Sequence, residues 1–485
     1  MLIVSITNKD TKKGDRPMSN INSSYNEHAI IYSGALVIIF QTTAVAVPYM
    51  VMSFSEHIYR RIVIYCAGLS FCQDHQTALG ISRELGGCSH DALTRMLNSN
   101  TWTSGQLMIF CFQLAMSVAT GSPGLSWLIL DDVILPKKNT KKIIAAHWDH
   151  DYVNGKNIPC VRVVVLCWTN GIIKIPVSFL LWHKKNSIYL EENNKKYRTK
   201  NELARIMVYL ASRNNLRFDY LLFDSWYAGA EHLKWYHEHG ILFVTAIKNN
   251  RKVRLLDVPL DMKPKRIHKK TPVWVEKSPK QFAGEHPHSR DYHYYSAIKS
   301  RTRRWEVTMK GFPGFLSLIC IKNYVKNPAF KNMVKPVDKK QRDPNKYLLT
   351  NDPTLTVVEI VKWYRRRWAI EVLFRDCKQN LGFNACQAQS VRAHEHHIAC
   401  VFFSYILLEK LKTSIPSSEK KAKTPTIGQV KEWIRKQAII VEKKFPTQKQ
   451  MPYKQVDKFS ENELIQLLKN LENALVTGKS DTLNL

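Results

Sequence analysis

Two short apolar runs that each lead into an aspartate constrain the fold of this chain most strongly. Leu128-Ile129-Leu130 runs into Asp131, and Leu221-Leu222-Phe223 runs into Asp224. Each run predicts a buried strand, and the aspartate is expected at the strand's end. A carboxylate beside a buried strand needs a partner such as a metal ion, because burying an unpaired charge is costly. Asp132 is a rival for Asp131, which we favour because it directly follows the apolar run.

Strand and helix patterns alternate around these aspartates. Asn170-Gly171 lies between two β-rich runs and predicts a hairpin turn. Three strands in a meander are followed by helix, strand, helix and strand, which is the order of an RNase H-like fold with an α/β mixed sheet. The strand patterns cover residues 125–135, 160–168, 172–182, 220–223 and 241–247, and the helix patterns cover residues 201–211 and 231–239.

The chain is too long for one ordinary domain. We expect an RNase H-like core in two parts, residues 116–248 and 346–412, with a β-rich insertion at residues 249–345 between them. The insertion is rich in Lys, Arg, His and Pro and contains strand-like pieces. A strand at Lys346 to Thr350 is expected to return the chain to the core.

Helical regions are expected on either side of this core. Residues 54–115 contain a helix, a Gly-Gly break and a second helix capped by Ser89, which is the outline of a helix-turn-helix and makes this a candidate DNA-binding domain. Residues 413–485 are expected to form a linker and C-terminal helices. Residues 1–53 are a leader of uncertain role that includes most of an uncharged apolar segment, residues 29–55.

The charge of the chain indicates a polyanionic partner. The formal net charge is +32 and the isoelectric point is about 9.7, so nucleic acid is the simplest partner and anionic membrane the weaker alternative. The segment at residues 29–55 is long enough to span a bilayer, but polar residues interrupt it, and we expect no membrane association. Ten scattered cysteines without ligand spacing indicate a reduced cytoplasmic protein. His394, His396 and His397 cluster without a cysteine partner, which makes a zinc site there improbable.

A helical pattern from Val357 to Leu381 carries a third acidic residue. Glu371 shares a helix face with Tyr364 and Lys378, each seven residues away, and with Arg367 and Arg375, each four residues away. The neighbouring stripe is apolar and is expected to face a core. A carboxylate among cations at the edge of a buried helix suits a metal-binding acid near phosphates, although a ladder of surface ion pairs is the commoner reason for such a pattern.

These residues resemble a known family. Tyr364, Arg367, Glu371 and Lys378 match the pattern Y-x2-R-x3-E-x6-K, the signature of a large group of bacterial insertion-sequence transposases with a DDE catalytic triad. The run LLFDSWYAG from Leu221 to Gly229 is similar to the motif around this family's second aspartate. The stretch from Ser89 to Arg95 is similar to its N-terminal helical region, and the resemblance covers roughly residues 54–412.

The resemblance implies a function and a set of roles. Asp131, Asp224 and Glu371 would hold two Mg²⁺ or Mn²⁺ ions, while Tyr364, Arg367 and Lys378, with Arg375 beside them, would contact DNA phosphates. The enzyme would cut the terminal inverted repeats of its own element and join the 3′-hydroxyls to target DNA. We expect it to act as a homodimer on DNA in the bacterial cytoplasm, at the nucleoid.

Some features depart from the family or leave alternatives open. Val133 stands where the first motif of the family commonly has threonine. Trp274 and Trp305 are candidates, by location alone, for stacking on a flipped base, and burial in the insertion is the alternative for them. The competing functions are a metal-dependent nuclease of the same fold, an inactive DNA-binding relic of a transposase, and a membrane-associated basic protein.

Overall fold

The structure, a computed structural model, describes residues 54–72, 76–85, 88–138, 142–151, 154–257, 273–322, 344–414 and 425–444. The leader at residues 1–53, the Gly86-Gly87 break and everything after residue 444 lie outside these residues. The chain divides into two compact units. We call one the helical unit (Met1–Cys111, Leu135–Val161 and Phe374–Leu485) and the other the sheet unit (Phe112–Ile134 and Arg162–Leu373).

The described residues form twelve α-helices and twelve β-strands. The helices are α1 (Glu56–Phe71), α2 (Ala78–Leu85), α3 (His90–Asn98), α4 (Ser104–Gly121), α5 (Ile188–Glu192), α6 (Lys200–Arg213), α7 (Ala230–Glu238), α8 (Pro279–Glu285), α9 (Val357–Arg366), α10 (Trp368–Asn380), α11 (Val391–Ser414) and α12 (Ile427–Lys444). The strands are β1 (Trp127–Pro136), β2 (His147–Asp151), β3 (Lys156–Thr169), β4 (Lys174–Trp182), β5 (Tyr220–Phe223), β6 (Phe243–Ala246), β7 (Val253–Asp257), β8 (Val273–Lys277), β9 (His293–Tyr295), β10 (Ser300–Val307), β11 (Leu316–Lys322) and β12 (Lys346–Thr350).

In the helical unit, α11 forms the centre against which other helices pack. Its Ser404 hydroxyl donates to the carbonyl of Cys66 in α1 at 3.2 Å, and its Phe403 ring meets Phe110 of α4 edge-on at 5.2 Å. The two helices predicted in residues 77–97 are present as α2 and α3, and the hydroxyl of Ser89 caps α3 by accepting from the amide of Ala92.

The three clustered histidines are part of this helical core. Each donates a ring N–H to a backbone carbonyl: His394 to Ala388, His396 to Leu97 and His397 to Gly382, at 2.8–3.0 Å. Burial lowers the pKa of His394 and His397 to about 3 and that of His396 to about 4. They are therefore neutral and pack within the helical core.

One described helix, α4, is apolar and long enough to cross a membrane by length and composition alone. Core helices of soluble proteins pass the same test, so this is weak evidence for a span. Leu107, Phe110 and Cys111 of α4 are buried.

The sheet unit contains the mixed sheet that the sequence predicted. Its strands follow the order β3-β1-β5-β6-β12-β11-β10-β9, with β4 paired to β3. β1, β5 and β6 are parallel neighbours, whereas β6, β12, β11, β10 and β9 pair antiparallel. The β3–β4 hairpin turns at Asn170-Gly171, where the Asn170 side-chain oxygen accepts from the amides of Ile172 and Ile173 and Gly171 adopts a φ of +89°. The α/β fold class is confirmed.

Strands from the predicted insertion extend this sheet. β10 and β11 form an antiparallel pair, and β11 joins the sheet through β12, the strand that the sequence placed as the return to the core. β7 and β8 form a separate two-stranded ladder. Trp305 in β10 is buried near Phe282, with their ring centroids 6.0 Å apart, so its position supports the packing alternative. Trp274 lies in β8, and its side chain is outside the described part of the structure.

The helix predicted from Val357 to Leu381 is divided at Arg367. α9 begins with a capping box between Thr356 and Glu359 and ends at Arg366, and α10 starts at Trp368. Two hydrogen bonds of the tighter i to i+3 type, from the Arg367 amide to Tyr364 and from the Ile370 amide to Arg367, produce this break. The apolar stripe is buried as expected, apart from Trp363, which is half-buried.

Candidate active site

The two aspartates that follow apolar runs come together across neighbouring parallel strands. β1 pairs with β5 in a register that sets Leu130 opposite Phe223. Asp131 and Asp224 directly follow these two paired residues. Adjacent strands lie about 4.8 Å apart, which brings the two backbones close at this point. The expectation that Asp131 ends its strand is wrong, because β1 continues to Pro136. β1 lies between β5 and β3 in the sheet. β5 has only four residues and ends at Phe223, whereas β3 has fourteen residues, so β1 does not have to end where β5 ends.

Glu371 is linked to Asp131 through one arginine. Arg367 donates from Nη1 to Oδ2 of Asp131 at 2.7 Å, and from Nη2 to Oε1 of Glu371. The Arg367 side chain is 9% exposed, and those of Asp131 and Glu371 are 17% and 25% exposed. A single, largely buried guanidinium therefore holds two of the three predicted acids together.

The groups around Asp131 shift its pKa in opposite directions. Burial raises its pKa above the ordinary aspartate range, the Arg367 guanidinium lowers it, and the charges of Asp224 and Asp132 raise it further. Burial works against the charge on Arg367, but Asp131 and Glu371 outweigh it, so the pKa of Arg367 is raised. This part of the sheet unit thus holds a concentration of negative charge that needs a cation.

Asp224 sits in a tight turn that fixes its carboxylate. Its Oδ1 accepts from the amide of Trp226 at 2.8 Å, and its carbonyl accepts from the amide of Tyr227 at 3.2 Å. The hydroxyl of Thr245 in β6 lies 3.3 Å from the same carbonyl. These bonds explain why an aspartate follows β5, because the turn needs a side chain that accepts hydrogen bonds at its first residue.

Asp132 belongs to a separate ion cluster. It contacts Arg162 directly, accepts from the Lys200 ammonium at 3.1 and 3.2 Å, and accepts from the Tyr227 hydroxyl at 2.8 Å. The Lys200 ammonium also lies 3.7 Å from the centre of the Trp226 ring. Successive strand residues face opposite sides of a sheet, which separates this cluster from the side chain of Asp131.

Two further side chains complete the surroundings of Arg367. Tyr364 is buried, its ring centre lies 5.8 Å from the Arg367 guanidinium carbon, and burial raises its pKa to about 12. Lys346, at the start of β12, places its ammonium 5.3 Å from the same ring. Burial lowers the pKa of Lys346, and Arg367 lowers it further, while Asp224 and Glu371 raise it. Lys346 was not predicted as a site residue, because it lies outside every motif.

Arg375 and Lys378, the remaining predicted phosphate contacts, lie on the part of α10 that belongs to the helical unit. The Arg375 side chain is 52% exposed and lies 3.4 Å from Asp376. Lys378 is exposed. Both can therefore reach an external anion.

The residues in the sheet unit fit a divalent cation. Asp131, Asp224 and Glu371 supply carboxylate oxygens, the ligand type that Mg²⁺ and Mn²⁺ prefer. The Arg367 guanidinium shows that two of these carboxylates already converge on one positive group. A metal ion can take the same position with respect to the acids, provided that Arg367 turns away.

Comparison with known protein families decides the class of protein. A family model described as DDE superfamily endonuclease matches residues 50–310, more than half of the chain. The chain belongs to this family. No curated protein matches it. As a DDE superfamily endonuclease it acts on DNA and uses divalent metal ions, which agrees with the carboxylates and the positive charge described above.

The family match covers only part of the candidate site. Asp131 and Asp224 of this DDE endonuclease lie within residues 50–310, and Glu371, Arg367 and the rest of the four-residue signature lie beyond them. The assignment of Glu371 as the third acid therefore depends on its link to Asp131 through Arg367.

Proposed function

We propose that this DDE endonuclease is the transposase of an insertion sequence, of the group with the Y-x2-R-x3-E-x6-K signature. It would cut the terminal inverted repeats of the element and join the 3′-hydroxyls to target DNA. One observation carries the proposal: Arg367 joins Asp131 to Glu371, and Asp131 is the strand neighbour of Asp224. Three acids from two strands and a helix are thus available to a single reaction centre.

In this proposal the three acids bind two Mg²⁺ or Mn²⁺ ions. Two such metal ions would activate an oxygen nucleophile and stabilise the leaving oxygen in phosphodiester transfer. Asp131 lies on the strand β1, and the turn after β5 fixes the orientation of Asp224. Glu371 enters from α10, and Arg367 would leave it for a DNA phosphate when the metal ions bind.

The cations of the signature would bind and align the DNA. Arg367, Arg375 and Lys378 would contact phosphates near the scissile bond, and Tyr364, which is buried, would have to become accessible to do so. The net charge of +32 supports extensive backbone contact. We further propose that residues 54–115 bind the element end, that a homodimer forms on DNA, and that the enzyme works in the bacterial cytoplasm, at the nucleoid.

The decisive experiment uses a short duplex that carries an inverted repeat from the DNA flanking the gene. The purified chain should cleave it in Mg²⁺, and a supercoiled plasmid should receive the 3′-hydroxyl end. Asp224→Asn should abolish both products and still shift the duplex in a gel. Glu231→Gln is the matched control, because Glu231 is 80% exposed and takes part in one ion pair with Arg205. If Asp224→Asn cleaved at the parental rate, the assigned acids would be wrong.

A metal-dependent nuclease without strand transfer is the second candidate. The description of the family as endonucleases favours it. The same assay separates the two functions, because a nuclease yields cut ends and no joined product in the plasmid.

A further inference from the structure

A second group of metal-binding side chains lies on β2 and β3 in the helical unit. His147 and Asp149 are two residues apart on β2, so they share one face of the strand. Cys160 on β3 is the direct cross-strand partner of His147. The pairing of two antiparallel strands therefore places an imidazole, a carboxylate and a thiol next to one another.

The ligand atoms of these three side chains converge. All three lie within 4.8 Å of one another, and Nε2 of His147 is 3.8 Å from Oδ2 of Asp149. Ligands of a tetrahedral zinc ion lie about 3.5 Å apart, given zinc–ligand distances of about 2.0–2.3 Å. Small rotations of the side chains would bring the three ligand atoms to this separation.

The site is on the covered face of β2. The His147 side chain is 9% exposed and Cys160 is buried, whereas Trp148, which points to the other face, is 59% exposed. Water therefore competes weakly for the ligand positions, and the strands keep two of the three ligands in register before any metal binds. Water would fill the fourth position of a tetrahedral site.

We propose that His147, Asp149 and Cys160 form a zinc site that ties β2 to β3. Nitrogen, sulfur and one carboxylate oxygen are a typical ligand set for Zn²⁺ and a poor one for Mg²⁺. On binding, Cys160 loses its proton to water and coordinates as the thiolate. This site is separate from the three acids of the proposed reaction centre, so the two metals differ in ligand chemistry and in function.

Sequence spacing did not reveal this site. The three residues follow no C-x-x-C or H-x-x-x-H pattern, and ten residues lie between Asp149 and Cys160. β2 itself was absent from the predicted strands. Only the register of the β2–β3 pair brings Cys160 opposite His147.

Cobalt substitution tests the proposal in the full-length chain. The protein is reduced, stripped of metal with a chelator and titrated with Co²⁺. We expect one equivalent to produce a near-ultraviolet charge-transfer band from thiolate to cobalt, and one equivalent of Zn²⁺ to remove it. Cys160→Ser should lose the band, and His147→Gln and Asp149→Asn should each weaken Zn²⁺ binding at least tenfold, as measured by competition with a chromophoric chelator.

Two controls keep the outcome clear. Cys320→Ser changes an equally buried strand cysteine of the sheet unit and should retain the band. Asp224→Asn should also retain it, since that residue belongs to the other metal centre. Circular dichroism of metal-free Asp149→Asn checks that a loss of binding is not a loss of folding. A band that persists in Cys160→Ser, or parental zinc affinity in a folded Asp149→Asn variant, would overturn the proposal.

Discussion

Replacing Arg367 with glutamine tests whether a protein cation takes the place of the metal between the acids. Arg367 links Asp131 and Glu371. Arg367→Gln removes the positive charge and leaves two carboxylates, with Asp224 nearby, without the cation that they share. We therefore expect the variant to be less stable than the parent without metal and to recover when divalent metal is added.

The size of the loss follows from the burial of the three side chains. At an effective dielectric constant of 20, two unit charges about 4 Å apart attract by about 4 kcal/mol. Desolvation of the guanidinium offsets much of this attraction, and removal of one partner from a buried pair typically costs about 3–5 kcal/mol. Glu371 is 25% exposed and Asp131 17% exposed, so partial screening favours the lower end. We expect a decrease of about 3 kcal/mol in the free energy of unfolding.

The assay is urea unfolding of the parent and the variant, without metal and in excess Mg²⁺. Arg366→Gln is the matched control, because the neighbouring Arg366 is exposed, donates to the carbonyl of Gly171 and lies 5.3 Å from the Trp127 ring. It should cost less than about 1 kcal/mol. With Mg²⁺ at ten times its dissociation constant, a variant that binds it gains about 1.4 kcal/mol. The parent should gain less, because its arginine competes for the same carboxylates.

Two results would refute this reasoning. If Arg367→Gln is as stable as Arg366→Gln without metal, the buried bridge contributes nothing and the acids are compensated by other groups. If the parent and Arg367→Gln gain equal stability from Mg²⁺, the arginine and the metal do not share ligands. In either case the proposal that Arg367 leaves the acids for a DNA phosphate would lose its basis.

Three further predictions concern the same enzyme. Because burial raises the pKa of Asp131, Mg²⁺ affinity measured by calorimetry should fall with decreasing pH well before the ordinary aspartate value of 3.8 is reached. The free energy of unfolding without metal should increase over the same range, since the folded chain binds this proton more tightly than the unfolded chain. A pH-independent affinity would contradict the burial of the carboxyl. Lys378→Gln should unfold like the parent but cleave end DNA at least tenfold more slowly, because the side chain is exposed and a misaligned phosphate reacts poorly; parental cleavage would remove the functional meaning of the fourth signature residue. The logarithm of the DNA association constant should decrease linearly with the logarithm of salt concentration, with a slope that reflects several released counterions, and a slope near zero would exclude phosphate contacts as the source of binding.

Much of the fold could be predicted because the sequence pattern and the local structure agree. The runs from Tyr220 to Phe223 and from Lys346 to Thr350 are strands with the predicted bounds. Buried parallel strands are continuous apolar runs, which makes them easy to recognise. The hairpin at Asn170-Gly171 was equally clear, because few other dipeptides allow such a turn.

Other features depend on tertiary contacts that no local pattern reports. β2 has the sequence HWDHD, which lacks the apolar alternation of a typical strand. The break at Arg367 lies in a sequence with good helix propensity and becomes visible only in the i to i+3 hydrogen bonds on either side of it. Lys346 approaches Tyr364 because β12 pairs with β6, far away in sequence.

The choice between Asp131 and Asp132 shows where sequence reasoning ends and geometry begins. Both follow the same apolar run, and only their order distinguishes them in the sequence. On a strand, consecutive side chains face opposite sides of the sheet, so one of them meets Arg367 and the other meets Arg162 and Lys200. Asp132 has two cations and a tyrosine hydroxyl as partners, which leaves its carboxylate fully engaged. Asp131 shares its cation, Arg367, with Glu371, and in our proposal a divalent metal takes over the two carboxylates while Arg367 moves to a DNA phosphate.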